Sequence, residues 1–210
     1  MVATNEQPDT DAPGRSTRED WLKLALDTLI RDGIDRVKVQ IMAIQLNVSR
    51  SSFYWFFKSP QDLNDQMLDY WLNKNTGPII QRALRPAQTI TEAILNVFEC
   101  WANEDLFDPR LDIAIRLWAR RDLNVLAVVT SADQQRLDAL TSMFMRHSFP
   151  ADEAVVRARV LYFTQVGQYT LDINEDMSLR FLRTRNFVRA FSGQTPTDAE
   201  IEHFEAVALE

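Results

Sequence analysis

The side chains best suited to binding an anion lie in one short stretch of the chain, between residues 38 and 58. This stretch supplies two lysines, one arginine, three serines and two amphipathic aromatic rings: Lys38, Ser49, Arg50, Ser51, Ser52, Tyr54, Trp55 and Lys58. Ammonium, guanidinium, hydroxyl and phenol groups donate hydrogen bonds to phosphate oxygens and to the edges of bases. The residue types therefore indicate a surface that contacts nucleic acid.

The charge of this stretch differs from the charge of the whole chain. The 210 residues include 23 Lys and Arg against 30 Asp and Glu, a formal net charge of −7. From Arg36 to Gln61, however, there are four basic residues and no acidic one. Phosphate binding needs a locally positive surface, whereas an acidic remainder argues against non-specific coating of nucleic acid. An alternative interpretation is a pair of ordinary amphipathic helices whose exposed faces lack acids.

Two short helices joined by a tight turn must position these side chains. Apolar residues at helical spacing predict the first helix: Val39, Met42, Ala43 and Leu46. Asn47 suits the left-handed conformation that ends a helix, and Ser49 stands where its side chain would cap the next one. That second helix turns three phenylalanines inward: Phe53, Phe56 and Phe57. The polar side chains remain on its other side, as in a helix that enters a DNA major groove.

The segment resembles the helix-turn-helix of the TetR family of bacterial transcriptional regulators. In that family a helix ending in glycine precedes the pattern T/V-x-x-I-A-x-x-x-G-V-S-x-x-x-L/F-Y-x-x-F-x-x-K-x-x-L. The matching residues here are Gly33, Val39, Met42, Ala43, Val48, Ser49, Phe53, Tyr54, Phe57 and Leu63. Asn47 stands where the family usually has glycine, and Pro60 stands where it usually has lysine. The match covers the N-terminal part of the chain only.

With this resemblance, we interpret the chain as a homodimeric regulator, a repressor released from a palindromic operator by a small, largely apolar effector. Its partners would be double-stranded DNA, that effector and a second copy of the chain. The single cysteine fits a cytoplasmic location. An alternative is a helical small-molecule-binding protein whose N-terminal head has lost DNA binding. Pro60, Asn47 and the sparse positive charge keep this alternative open.

The composition favours an all-α protein. Glycine is scarce, with five residues, few segments alternate apolar and polar residues, and a hydrophobic content of 46% suffices for a sizeable core. We predict a disordered tail over residues 1–15, a helix-turn-helix domain over 16–60, and an effector-binding and dimerisation domain over 61–210. No apolar run approaches the ~18 residues of a membrane span, and residues 1–15 lack the features of a signal peptide.

Local signals place about ten helices along the chain. Capping-box patterns start at Ser16, Thr89 and Thr197, and Asp108 and Asp122 are further capping candidates. The sequence Ser59-Pro60 opens a fourth helix, which we expect to join the two domains. The pair Gly77-Pro78 is predicted to interrupt or end that helix. Two long helices follow near the C-terminus, over about 151–173 and 179–192.

The second half of the chain is rich in aromatic residues, which predicts a cavity between helices that binds a small, largely apolar ligand. The candidates for its walls are Trp71, Phe98, Trp101, Trp118 and Tyr162. Arg116 lies among apolar residues and is the candidate partner for an anionic group. The alternatives are rings that fill the core and a surface position for Arg116.

The segment from Ala154 to Leu171 is apolar over more than one helical stripe and must bury more than one face. In proteins that this chain resembles, the two long C-terminal helices of each subunit form an intersubunit four-helix bundle. We expect the interface to include Val155, Ala158, Leu161, Tyr162, Gln165, Gly167, Phe187 and Phe191. The alternative is that both helices are buried within a monomer.

The sequence contains no recognisable catalytic or metal-binding constellation. His147 and His203 are far apart, and neither has a second His or Cys at metal-ligand spacing. Glycine-rich phosphate loops and the G-x-S-x-G motif are missing. The single cysteine, Cys100, excludes an intramolecular disulfide and is expected to be a buried apolar residue. The sequence therefore predicts no enzyme, no cofactor and no metal site.

Overall fold

The computed structural model describes residues 16–171, 173 and 175–208, and its regular structure within these ranges is entirely helical. The α-helices are α1 (Arg18–Asp32), α2 (Val39–Gln45), α3 (Arg50–Phe53), α4 (Pro60–Trp71), α5 (Gly77–Leu84), α6 (Ile90–Ala102), α7 (Pro109–Ala119), α8 (Leu123–Arg146), α9 (Ala151–Thr170), α10 (Met177–Ser192) and α11 (Asp198–Ala208). A 3-10 turn (Ile34–Arg36) precedes α2, and a π-helical segment (Leu72–Thr76) joins α4 to α5. The all-α prediction is confirmed, whereas the tail predicted over residues 1–15 lies outside the described residues.

The chain divides into two compact units, one that ends at Met67 and one that begins at Leu68. We predicted the boundary at residue 60, which is where α4 begins; the division instead falls inside α4. The first unit therefore contains α1, α2, α3 and the start of α4. In the part of the chain that the structure describes, no helix is both long enough and apolar enough to cross a membrane.

The first unit opens with a capping box one residue later than predicted. The Thr17 hydroxyl accepts a hydrogen bond from the Asp20 backbone N–H at 3.2 Å, and the Asp20 carboxylate accepts one from the Thr17 N–H at 2.8 Å. The predicted pair Ser16–Glu19 does not cap the helix. Its serine hydroxyl instead accepts a bond from the Trp21 indole N–H at 3.2 Å, which helps to fix that buried ring.

The turn after α2 depends on Asn47, which adopts the left-handed conformation with φ 54°. The Asn47 N–H donates to the Ile44 carbonyl at 3.1 Å, and the Val48 N–H donates to the Ala43 carbonyl at 3.0 Å. These bonds close α2 and redirect the chain. Because asparagine tolerates this conformation, it serves here in place of the glycine of the TetR pattern, as predicted.

In the second unit most predicted helix starts are confirmed. The Asp108 carboxylate caps α7, the Asp122 carboxylate caps α8, and Thr197 forms a reciprocal capping box at α11. The prediction for Gly77-Pro78 is wrong in one respect, because this pair begins α5 rather than ending a helix. Proline in the first turn of a helix loses no hydrogen bond. The helical geometry changes earlier, in the π-helical segment.

The core of the second unit draws on α5, α6, α8, α9 and α10. Its most deeply buried members include Ile79, Ile94, Val97, Leu140, Met143, Phe144, Leu161 and Val188. Cys100 belongs to this core, and burial raises the pKa of its thiol to about 12. The thiol is therefore protonated at neutral pH and packs as an apolar group, as expected from the sequence.

The first testable prediction concerns the turn at Asn47. We expect Asn47→Ala to lower the free energy of unfolding by ~1 kcal/mol, because alanine pays a steric cost in the left-handed conformation. Asn47→Gly is the matched control and should unfold no more easily than the wild type, since glycine adopts this conformation freely. Urea titration measures both variants. Equal stability of Asn47→Ala and the wild type would contradict the prediction.

Candidate nucleic-acid interface

The position of α3 depends on one buried ring. Phe53 is fully buried, meets the Trp21 ring edge-on at a centroid distance of 5.3 Å, and stacks on Phe57 at 5.0 Å. Trp21 and Phe57 are also buried. Rings from α1, from α3 and from the turn after α3 therefore form one small core. Phe56, also predicted to face inward, is only partly buried.

The opposite side of α3 faces solvent. Arg50, Ser51 and Tyr54 are exposed, Ser52 is half-buried, and Trp55 has 84% of its surface exposed. The other predicted contact residues, Lys38, Ser49 and Lys58, are exposed as well. Four of the set line one open groove of the first unit: Ser49, Ser51, Ser52 and Trp55. The predicted contact residues are thus accessible on the surface of this unit.

The serine hydroxyls on this surface bond locally. The Ser49 and Ser51 hydroxyl oxygens lie 2.9 Å apart, and the Ser52 hydroxyl donates to the Ser49 carbonyl at 2.7 Å. Ser49 holds the N-cap position with extended backbone, but its side chain makes no capping hydrogen bond. The predicted capping by the Ser49 side chain is therefore wrong, because its hydroxyl is engaged by Ser51 instead.

The first acidic residue after this surface is held at the start of α4. The Asp62 carboxylate accepts hydrogen bonds from the Lys58 backbone N–H at 2.7 Å and from the Gln66 side chain at 2.8 Å. These two bonds lower the pKa of Asp62 below its usual value. The Ser59 hydroxyl in turn accepts a bond from the Asp62 N–H at 3.1 Å. The backbone at Lys58 is therefore fixed while its side chain is exposed.

One residue of this surface was missed by sequence reasoning. Ile44 is 74% exposed and lines the same groove as Trp55. It directly follows Ala43 in the sequence, and as an apolar residue it was compatible with a core position. The sequence feature that could have identified it as exposed is its position outside the helical stripe formed by Val39, Met42 and Ala43. Exposed apolar side chains next to a reading helix can contact thymine methyl groups.

In the second unit, three of the predicted ligand-binding residues belong to a buried polar network around Arg136, which has no exposed surface. The Arg136 guanidinium donates to the Tyr162 hydroxyl at 2.7 Å and to the Thr76 hydroxyl at 2.7 Å. It lies 5.0 Å from the centre of the Trp71 ring, a cation–π distance. The Trp71 indole N–H donates to the buried Asp112 carboxylate at 2.9 Å.

Arg116 completes this network. Its guanidinium donates to Asp112 at 2.8 Å and to both carboxylate oxygens of Asp133 at 2.8 Å each. Burial favours a raised pKa for Asp133, but the hydrogen bonds from Arg116 lower it on balance. The two arginines and two aspartates balance in charge. The expectation that Arg116 binds an anionic ligand is corrected, because two carboxylates already occupy its guanidinium.

Two of the predicted ligand-binding residues line a cleft in the second unit. Phe98 and Trp101 border a cleft of about 50 Å³ lined by residues of α6, α9, α10 and α11. Three predicted interface residues line the same cleft: Gln165, Phe187 and Phe191. Trp71, Trp118 and Tyr162 are buried but do not line it. The sequence analysis therefore named five residues of this cleft, two as ligand-binding candidates and three as dimer-interface candidates.

The predicted dimer interface also needs correction. Ala158, Leu161 and Tyr162 are buried within the chain itself, so they are not available to a partner. The accessible apolar stripe of α9 consists of other residues, at helical spacing: Val156, Val160 and Phe163, which are 58%, 48% and 56% exposed. Val155 lies at its edge, and a side chain added at Gly167 would meet no other atom within 4 Å. The apolar pattern predicted two buried faces without identifying which one faces inward.

The chain is an all-α protein with an N-terminal helix-turn-helix unit and a larger helical unit. Solved structures match at this level. They include Salmonella enterica GusR, with a TM-score of 0.57, 14% identity and coverage of 92% of this chain and 95% of that chain. A TetR-like transcriptional regulator from Rhodococcus sp. RHA1 gives a TM-score of 0.57, 14% identity and coverage of 93% and 96%.

A Mesorhizobium loti MAFF303099 protein assigned to the TetR family of transcriptional regulators gives a TM-score of 0.55, 14% identity and coverage of 90% and 95%. No protein-family model and no curated protein sequence matches the chain. The chain therefore has the fold of TetR-like regulators over nearly its whole length. The predicted fold class and the resemblance in fold are confirmed.

The second testable prediction concerns the buried network. We expect Arg136→Met to lower the free energy of unfolding by about 3–5 kcal/mol, because it leaves buried carboxylate charge without its partner. Denaturant titration followed by circular dichroism measures the change. Arg110→Met, at an exposed position of α7, is the matched control and should stay within about 0.5 kcal/mol of the wild type. A similarly small effect at Arg136 would refute the structural role of the network.

Proposed function

We propose that this chain is a dimeric, DNA-binding transcriptional regulator whose α3 surface contacts the operator. The observation that carries the proposal is the exposed, basic and acid-free face of α3, on a fold shared with TetR-like regulators. A small basic face on an otherwise acidic protein directs phosphate binding to that face alone.

The residues of this face have different roles in the proposal. Arg50 is the principal donor to a base edge or a phosphate, and Ser51, Ser52 and Trp55 contact the groove. Tyr54, Lys38 and Lys58 hold phosphates and set the register of the protein on the duplex. The Lys58 backbone N–H donates to the Asp62 carboxylate. This bond fixes the backbone from which the Lys58 side chain extends toward a phosphate.

A homodimer supplies two copies of α3. The exposed apolar stripe of α9 supports this part of the proposal, because Val156, Val160 and Phe163 form one continuous row on a helix whose other face is already buried. Packing of this stripe, with α10, against its symmetry mate would form the intersubunit helix bundle. Two-fold symmetry then places the two α3 helices about 34–36 Å apart, on successive major grooves of a palindromic operator.

The regulator responds to a small effector in this proposal and acts as a repressor in the cytoplasm. An effector that binds the DNA-incompetent form of the dimer more tightly shifts the population toward that form and releases the operator. The cleft bordered by Phe98 and Trp101 supports this step, since it offers an aromatic wall for an apolar ligand.

The third testable prediction concerns Arg50. We expect Arg50→Ala to weaken operator binding by ~1–3 kcal/mol, because it removes a bidentate donor to a base edge. Fluorescence anisotropy with the DNA upstream of the chain's own coding sequence provides the measurement. If the wild type does not bind this DNA at any salt concentration, the alternative of a ligand-binding protein without DNA function is favoured.

Two variants serve as comparisons for Arg50→Ala. Lys58→Ala should weaken binding to all sequences alike and reduce the salt dependence by about one phosphate contact. Arg120→Ala, at an exposed position of the second unit, should leave operator affinity unchanged. An unchanged affinity in Arg50→Ala would remove this residue from the interface.

The fourth testable prediction concerns dimerisation. We expect Val160→Glu to convert the dimer into a monomer, because it buries an unpaired charge in the middle of the apolar stripe. Sedimentation velocity distinguishes the two species. Leu123→Glu replaces a leucine on α8 that is 83% exposed, and it should remain dimeric. A Val160→Glu protein that sediments like the wild type would place the interface elsewhere.

A further inference from the structure

An open, largely apolar groove lies beside α3 in the first unit. Its lining includes Ile44 and Trp55, whose side chains are 74% and 84% exposed. Val48 and Phe56 also line it and are half-buried. Apolar side chains that are exposed together mark a surface that a partner covers. The groove is therefore a candidate docking surface, and the residues around it indicate what occupies it.

The groove includes the point at which the described chain begins. Ser16, the first described residue, belongs to its lining, and so do Arg18 and Glu19, which contribute opposite charges. Residues 1–15 lie outside the described residues and are joined to the groove through Ser16. A segment of this length spans up to about 50 Å when extended, which is enough to reach every part of the groove. Attachment to the lining also keeps its effective concentration there in the millimolar range.

The surface next to the groove carries positive charge that is not neutralised. Arg50 begins α3, and its neighbours in sequence, Ser49 and Ser51, line the groove. Arg50 and Lys58 are exposed, and neither forms an ion pair with a described acidic residue. An anionic segment that enters the groove therefore finds cations beside it.

The sequence of residues 1–15 is complementary to this surface. It contains three acidic residues and one basic residue, a net charge of −2: Glu6, Asp9, Asp11 and Arg15. Pro8 and Pro13 lie on either side of the two aspartates. Proline-containing segments bind grooves lined by aromatic rings, because the proline ring is apolar and its backbone is already restricted. The segment therefore offers apolar rings for Trp55 and carboxylates for the neighbouring cations.

We propose that residues 1–15 bind this groove and compete with DNA for the α3 surface. The prolines pack against Trp55 and Ile44, and the carboxylates face Arg50 and Lys58, where phosphates would otherwise bind. The competition weakens binding to every duplex by the same factor, so weak non-specific binding is suppressed while a tight operator complex still forms. This inference rests on the proposed function for its effect on DNA binding.

The first test compares the wild type with the full-length variant Glu6→Gln/Asp9→Asn/Asp11→Asn. The probe is a short fluorescent duplex of random sequence, so the operator need not be known, and anisotropy gives the dissociation constant. The variant should bind the duplex about three- to tenfold more tightly, because it loses three exposed ion pairs that compete with phosphate. An unchanged dissociation constant would overturn the inference.

A matched variant separates local competition from the effect of overall charge. The substitutions Glu104→Gln, Asp105→Asn and Glu202→Gln remove the same charge from exposed positions of the second unit. This variant should bind the duplex like the wild type, because salt screens charges that are far from the contact surface. Equal tightening by the two triple variants would show an effect of net charge alone and would reject the competition.

A second test needs no DNA. Hydroxyl-radical oxidation followed by mass spectrometry should modify Trp55 more slowly in the wild type than in a chain that lacks residues 1–14. This truncation precedes the capping box at Thr17 and should leave the melting temperature unchanged. Tyr70, an exposed ring of the second unit, is the internal control and should be oxidised at one rate in both proteins. An equal rate at Trp55 would also overturn the inference.

The outcome is separable from that of the DNA-binding proposal. Duplex binding that neither the neutralised acids nor the truncation changes would leave the regulator in place and reject the inference. Protection of Trp55 in a protein that binds no duplex, with or without residues 1–14, would retain the contact and reject both the competition and the regulator.

Discussion

A helix of a single turn gains too few hydrogen bonds to remain folded in water by itself, and α3 has only four residues. Its orientation is therefore set by the burial of Phe53 between Trp21 and Phe57. The positions of all α3 residues proposed to contact DNA therefore depend on the packing of Phe53. The left-handed turn at Asn47 has the complementary role, because it fixes where α3 starts relative to α2.

The second unit has a comparable constraint, which is electrostatic. Arg136 is fully buried, so its charge must be compensated within the protein, and Asp112, Thr76, Tyr162 and Trp71 surround it. A satisfied network of this kind specifies one arrangement of the helices that contribute to it.

Most of the predicted turns and caps are confirmed, although the side chains of Ser16 and Ser49 do not cap their helices. Asn47, Asp108 and Asp122 were identified correctly because a turn or a cap is decided within a few residues. Arg116 was misjudged because its partner Asp133 belongs to another helix. The inner face of α9 was likewise assigned by apolarity alone, whereas packing against the rest of the unit buries Leu161 and exposes Val160.

The central claim is that α3 is presented to duplex DNA twice per assembly. Its most direct test is selection of bound duplexes from a random pool with the purified protein, followed by sequencing of the enriched DNA. The account predicts an inverted repeat whose half-sites are centred about one helical turn, roughly 10 base pairs, apart. Enrichment of a single asymmetric site, or no enrichment of any sequence from the random pool, would contradict it.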